Sequence, residues 1–258
     1  MTVAPKDGEA SIMLQVKNLM VFFENALALN DFSMEVHRGE IVGVIGSNSA
    51  GKTTLMNALS GLIIDMRIKE RRKGGERITL YGDVVYQKEN ITWLKPSERV
   101  KKGIVLSRER HPVFPESSVM ENLKIAGYLR TKPETRTAID EVFDLFPVLR
   151  DLRSRKAGFL SGGEQQMLAI GMALVVGPQL LLLDEPLLGL SPMIQQAVVD
   201  AIVSLRDTAG ITVVLSEQFA RPVLPVIDRG YVIENGMLTL ADSGRELMAN
   251  PEVKSAYF

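Results

Sequence analysis

The chain has 258 residues, 46% of them hydrophobic, which suits one large α/β domain or two small ones with a substantial core. A formal charge of −1 gives no electrostatic basis for broad nucleic-acid binding, and with no cysteine there are no disulfides or thiolate metal sites. His37 and His111 are the only imidazoles, which excludes a His-rich metal site.

Met1–Ala10 carries Lys6, Asp7 and Glu9 and no apolar core, so it is not expected to act as a secretory signal. The longest apolar stretch, Ala173–Leu183, is interrupted by Gly177-Pro178-Gln179 and falls far short of a membrane span. The chain is expected to be soluble while docking on a membrane protein. Residues 12–36 alternate loosely, predicting strands at Met13–Val16 and Phe32–Val36 with turn chemistry at Glu24-Asn25. Phe22-Phe23 reads equally as core packing and as a stack on a purine base.

The apolar run Ile41–Ile45 predicts a buried strand, and Leu55, Leu59 and Leu62 follow at helical spacing. Between them Gly46-Ser47-Asn48-Ser49-Ala50-Gly51-Lys52-Thr53-Thr54 fits G-x-x-x-x-G-K-[ST]. In that loop backbone N–H groups cradle phosphates, the lysine neutralises them and the following hydroxyl ligates Mg²⁺. Four fixed positions match by accident in roughly one chain in a hundred of this length. The flanking strand and helix therefore carry the reading against a plain Gly-rich turn.

Lys69–Arg77 is a charged, glycine-containing run expected to form a solvated loop, with contact to an anionic surface as the alternative. Ile78–Tyr81 and Val84–Tyr86 flank Gly82-Asp83, which predicts an antiparallel β-hairpin. Ile104–Leu106 is a short strand leading into Ser107-Arg108-Glu109-Arg110-His111-Pro112. Ser118 and Glu121 form a capping box for a helix over Asn122–Leu129. Ile139, Val142, Phe143 and Phe146 then mark a second helix ended by Pro147. The stretch from Pro115 to Phe159 reads as a small helical insertion.

Leu160-Ser161-Gly162-Gly163-Glu164-Gln165-Gln166 opens a further helix. Ser161 as N-cap, Glu164 three residues on and two glycines leave free N–H groups at a terminus that favours an anion. Leu180–Leu183 is an apolar run too short for a helix and suits a central parallel strand. It ends in Asp184-Glu185-Pro186, where open α/β sheets place ligands. Alternation sends the two acids in different directions, one to serve a metal and one to face a water. A last strand, Ile211–Leu215, ends at Ser216-Glu217-Gln218, where a polar side chain can sense a γ-phosphate.

The order of these motifs resembles the nucleotide-binding subunits of ABC transporters over nearly the whole chain. Gly46–Thr54 resembles the Walker A loop, Leu160–Gln166 the L-S-G-G-E-Q signature, Leu180–Glu185 the Walker B strand and Leu188–Pro192 the D-loop. L-S-G-G-E-Q-Q-M-L-A-I-G from Leu160, L-L-L-L-D-E-P-L-L-G-L-S-P from Leu180 and N-P-E-V-K-S-A-Y-F from Asn250 are most similar to the branched-chain amino acid transport ATPases. Importers of urea and short amides share these features.

The resemblance implies an α/β fold with a P-loop NTPase core of ABC ATPase type, an antiparallel β subdomain and a helical insertion. Residues 1–114 and 159–258 would form the core with its β subdomain, and 115–158 the helical subdomain. It implies ATP and Mg²⁺ as ligands, and a head-to-tail dimer with a second such subunit, identical or not. Each ATP would lie between one Walker A loop and the other subunit's Ser161, Gly162, Gly163 and Glu164. Lys52 would bind the β- and γ-phosphates, and Thr53 and Asp184 would hold Mg²⁺. Glu185 would polarise the attacking water, and Phe23 would lie under adenine. The subunit would be cytoplasmic, peripheral on the inner face of the cell membrane. It would serve separate permease subunits, contacted by the helical insertion and the Glu109 loop, and indirectly a solute-binding protein, with no nucleic acid involved.

Several positions depart from the family pattern. Ser49 replaces the usual glycine, Ser47 the usual proline, Glu109 the Q-loop glutamine, Gln218 the switch histidine and Met172 a common arginine. Lys69–Arg77 lengthens its connection. Glu109 can still approach Mg²⁺ or water, and Gln218 can act only through hydrogen bonds. Ser49 and Gln218 leave open a subunit that binds ATP and dimerises but hydrolyses weakly, against which intact Glu185 argues. ABC ATPases of DNA repair or translation carry long coiled coils or tandem cassettes, and neither is present.

Overall fold

Strands dominated by branched apolar residues need cover on both faces, and the two runs Ile41–Ile45 and Leu180–Asp184 are buried at every position. The computed structural model describes residues 11–75, 77–109 and 113–258. Met1–Ala10, Glu76 of the charged run and Arg110-His111-Pro112 of the loop after Leu106 lie outside the described residues.

The chain opens with β1 (Ile12–Phe23), β2 (Ala26–His37) and β3 (Ile41–Ile45), followed by α1 (Lys52–Ser60) and α2 (Leu62–Arg72). Next come β4 (Ile78–Tyr86), β5 (Glu89–Asn90), α3 (Pro96–Lys101) and β6 (Ile104–Ser107). Three helices follow, α4 (Val119–Ala126), α5 (Lys132–Leu145) and α6 (Pro147–Asp151), before α7 (Gly162–Val175) and β7 (Leu180–Asp184). The remainder is α8 (Pro192–Ala209), β8 (Thr212–Glu217), β9 (Arg229–Glu234), β10 (Met237–Ser243), α9 (Gly244–Ala249) and α10 (Pro251–Tyr257).

Two sheets result. A four-stranded antiparallel sheet has the order β2-β1-β4-β5, and a six-stranded sheet the order β10-β9-β3-β8-β7-β6. In the second, β9, β3, β8, β7 and β6 are parallel and β10 is an antiparallel edge. Pleating divides each central strand between two cores. Ile41, Ile45, Leu181 and Leu183 pack with α4, α5, α7 and α8, while Val42, Val44, Leu180 and Leu182 pack with α1 and the antiparallel sheet. Tyr231 of β9 joins the sheets, its Oη donating to the Glu35 carbonyl at 2.9 Å and accepting the Glu35 N–H at 3.0 Å. Among the described residues no helix is long and apolar enough to cross a membrane.

Three expectations are corrected. The first two strands run the full lengths of β1 and β2, broken by pairing irregularities that a short-window alternation misses. Ile78–Tyr86 is one strand and not a hairpin, because both halves pair with β1. Gly82 (φ 88°) sits where the register with β1 shifts between Lys17 and Met20, and a Cβ there would meet the Asn18 carbonyl at 2.4 Å. The glycine admits a bulge, not a turn. Finally, the charged run is no loop over its first part, since Lys69–Arg72 is the last turn of α2, with Lys69 paired to Asp65 at 2.8 Å one turn back.

Candidate nucleotide site

Strand β3 ends at Gly46, which cannot carry a side chain: a Cβ would come 2.5 Å from the Ile233 carbonyl. The chain then folds tightly, with the Ala50 N–H donating to the Ser47 carbonyl at 3.2 Å, and α1 starts at Lys52. Gly51 takes φ 109°, and a Cβ on it would meet the Ala28 carbonyl at 2.7 Å. Ser49 takes φ 65° while its side chain is exposed. A left-handed conformation costs a non-glycine residue about 1–2 kcal/mol, of which glycine's own entropy loss takes back part. Ser49→Gly is therefore expected to stabilise the protein by about 0.5–1 kcal/mol, a rise of roughly 2–3 °C in Tm for a chain of this size. Thermal unfolding with and without nucleotide checks it; an unchanged or lower Tm would mean that the serine is not strained.

Lys52 is 3% exposed and lies back along the loop, donating to the carbonyls of Gly46 (2.8 Å) and Ser47 (2.9 Å) and pairing with Glu185 Oε1 at 3.0 Å. Asp184 closes β7 and accepts from Ser216 Oγ at 2.7 Å and Thr53 Oγ1 at 3.4 Å. Burial raises its carboxyl above the usual range, with Ser216 and Thr53 opposing and the charges of Glu185 and Glu109 adding to the rise. Glu185 does not follow strand alternation. Its φ of 47° turns the chain out of β7, and its carboxylate reaches Lys52 through that turn.

These groups border a cleft of about 520 Å³ that gathers Phe23, Asn48, Ser49, Gly51, Lys52, Thr53, Thr54, Glu109 and Glu185, together with Ala28 and Leu188. Two larger grooves on the helical side hold none of the motif residues. Phosphate-sized anions suit the loop, since free N–H groups at the start of α1 and a buried cation point the same way. Thr53, Asp184 and Glu109 offer oxygen donors only, as a hard divalent cation requires. No cluster of three or more His, Cys, Asp or Glu able to hold a metal occurs among the described residues. That donor set fits Mg²⁺ completing its shell with phosphate oxygens and water, and not a metal caged by protein alone.

The other sequence-predicted residues are elsewhere. Ser161 N-caps α7 in a capping box with Glu164, whose Oε2 accepts the Ser161 N–H at 2.7 Å. Ser161 and Gly162 are exposed, and a Cβ on Gly162 would meet nothing, so this helix start faces open space. Gly163 is sterically required, as a Cβ would sit 2.8 Å from Ile194. None of these four residues lines the cleft of their own chain. Gln218 borders a separate cavity of about 150 Å³ with Glu217 and Leu187–Gly189.

Sequence reading pointed to the strand end Ser216-Glu217-Gln218 and singled out only Gln218 as a site residue. Ser216 fixes Asp184, and Glu217, 3% exposed, accepts the Leu187 N–H at 2.8 Å. Burial pushes the Glu217 carboxyl up to about 8, opposed by the Leu187 bond and the Lys52 charge and helped by Glu185 and Asp184. A polar pair closing an apolar strand was the available signal.

Comparison with known proteins identifies the family. The sequence profile described as ABC transporter matches residues 29–188. The chain is 40% identical to the high-affinity branched-chain amino acid transport ATP-binding protein BraG of Pseudomonas aeruginosa, over 95% of this chain and 99% of that one. It is 36% identical to the probable branched-chain amino acid transport ATP-binding protein LivF of Archaeoglobus fulgidus, over 92% and 94% of the two chains. Its fold is similar to the ADP conformation of an ATP-binding cassette of an ABC transporter, with a TM-score of 0.80 and 26% identity over 96% of this chain and 98% of that one. With the matched profile spanning the P-loop, the capped helix at Ser161 and the acids ending β7, the chain belongs to the ABC transporter family as an ATPase cassette.

Proposed function

We propose that this chain hydrolyses ATP to drive import of a branched-chain amino acid, or a related small amide, through separate membrane subunits. The observation that carries the reading is the cleft in which the P-loop cation Lys52 and the acid Glu185 meet at 3.0 Å. Two relatives named for branched-chain amino acid transport support the solute class.

In this reading Lys52 exchanges its carbonyl and carboxylate partners for the β- and γ-phosphates of ATP. Phe23 stacks on the base, and residues 46–54 wrap the phosphates with their N–H groups. Thr53, Asp184 and Glu109 hold Mg²⁺, which when bound neutralises charge on the phosphate oxygens. Glu185, freed from Lys52, orients and polarises water for attack on the γ-phosphorus. The cleft draws no lining residue from Ser161–Glu164 of its own chain, and the capped start of α7 there presents donors to open space. A second cassette placed head to tail, identical or not, satisfies both, and Gln218 then acts from the β8 end through hydrogen bonds. The helices within 115–158 form a subdomain that, with the Glu109 loop, meets the membrane subunits, holding the cassette at the inner face of the cell membrane.

Uptake of labelled leucine and, separately, urea tests this in cells producing the chain with its membrane subunits. Lys52→Ala is expected to cut ATP-driven uptake of one solute roughly 100-fold or more. Uptake unchanged by that substitution would reject the coupling.

A further inference from the structure

The end of β8 is bonded to the turn that carries Glu185 in a way the roles above do not use. A non-glycine residue at φ 47° persists only where its surroundings over-determine it. The Glu185 N–H donates to the Ser216 carbonyl at 3.1 Å and to Ser216 Oγ at 3.2 Å. Two residues on, the Leu187 N–H donates to Glu217 Oε1 at 2.8 Å, fixing the far side of the turn. The main-chain carbonyl of Glu217 also accepts the Gly46 N–H at 3.2 Å, so one buried residue joins the start of the P-loop to the turn after β7. Leu188, next in the turn, lines the nucleotide cleft.

We propose that Glu217 is a positioning residue for ATP hydrolysis: by accepting the Leu187 N–H it locks the left-handed turn that aims Glu185 into the cleft. The inference rests on the assignment of Glu185 as the group that polarises water. Its lever is geometric. The P-loop bond comes from the Glu217 main chain and survives any side-chain change, whereas the bond to Leu187 needs an acceptor oxygen at the end of a three-carbon side chain. ATP binding, which uses the P-loop, should therefore be spared while turnover falls. Glutamine keeps an acceptor oxygen where Oε1 meets the Leu187 N–H and is the conservative replacement.

The test is steady-state ATP hydrolysis by the purified full-length chain, with thermal unfolding in parallel, for Glu217→Gln, Glu217→Met and Glu217→Asp beside wild type and Glu185→Gln. Glutamine keeps the acceptor and should hold kcat within about threefold, since only the orientation of Glu185 is at stake. Methionine fills the space without an acceptor oxygen, and aspartate keeps the acid one methylene short. Both should lose roughly 10–100-fold in kcat with KM for ATP within about threefold. If the methionine variant does not fold, aspartate against glutamine decides alone. Wild-type kcat in the aspartate or methionine variant, a KM that rises as kcat falls, or a glutamine variant as slow as methionine would overturn the proposal. A wild-type rate no higher than that of Glu185→Gln would overturn the assignment of Glu185 first, and this proposal with it.

Discussion

Glu185→Gln is expected to lower ATP turnover by roughly 10²–10⁴-fold, the usual worth of a positioned general base, while ATP binds several-fold more tightly. The first effect follows from removing the only group in the turn after β7 able to polarise a water. The second follows from the pair at 3.0 Å, in which both side chains are nearly dry, 3% and 9% exposed. At such a site opposite charges interact far more strongly than in water, so ATP must separate Lys52 from Glu185 before its phosphates can use the cation. Glutamine is isosteric, releases the lysine and takes a negative charge away from the incoming phosphates. Single-turnover phosphate release and titration with a fluorescent ATP analogue separate the two quantities. Weaker binding in step with slower release would show instead that Glu185 serves chiefly to hold Lys52 in place.

What could be read from the chain divides by whether the information is contiguous. The P-loop, the capped start of α7 and the acids after Leu183 are short runs whose spacing carries their chemistry, and the structure places residues of the first around one cleft with Glu185 of the third. Strands β3 and β7 were legible because short unbroken apolar runs, Ile41–Ile45 and Leu180–Leu183, suit little else. Gly82-Asp83 misled because glycine is ambiguous: it marks turns and also bulges, and only the partner strand, with its shift between Lys17 and Met20, decides between them. The charged run misled for another reason. Lysine, glutamate and arginine are good helix formers, and a helix already started by Leu62, Ile63 and Ile64 continues through them at no cost in burial. The pairing of Lys52 with Glu185 and the hold of Glu217 on Leu187 join residues far apart in sequence, and no spacing rule reaches them.

Arg99 shows how much of the site's support is of this non-contiguous kind, and Arg99→Met is expected to cost about 3–5 kcal/mol, the scale of a few buried carbonyls left unsatisfied at about 1–3 kcal/mol each. The side chain is 0% exposed and no carboxylate is among its bonded partners. Its five N–H donors are satisfied by five main-chain carbonyls: Leu94 at 3.2 Å, Ala58 at 2.6 Å, Leu59 at 2.7 Å, Ile91 at 2.7 Å and Thr92 at 2.9 Å. Burial alone brings the guanidinium down to about 10, which still leaves it charged at neutral pH. Ala58 and Leu59 are in the last turn of α1, so a cation there meets the negative end of the helix that begins at Lys52. The crowding is tight: Gly61, at φ 82°, could not take a Cβ without coming 2.9 Å from Arg99 Nε. Methionine fills the volume and takes one donor from each of the five carbonyls, of which that of Ile91 keeps the Leu94 N–H at 3.0 Å. Lysine restores the charge but offers three donors from one point, so Arg99→Lys should recover less than half of the loss, roughly 1–2 kcal/mol. Chemical denaturation of the three proteins gives the order directly. A lysine variant as stable as wild type would mean that charge at the end of α1 suffices, whereas the fivefold geometry requires the planar fork that only arginine has.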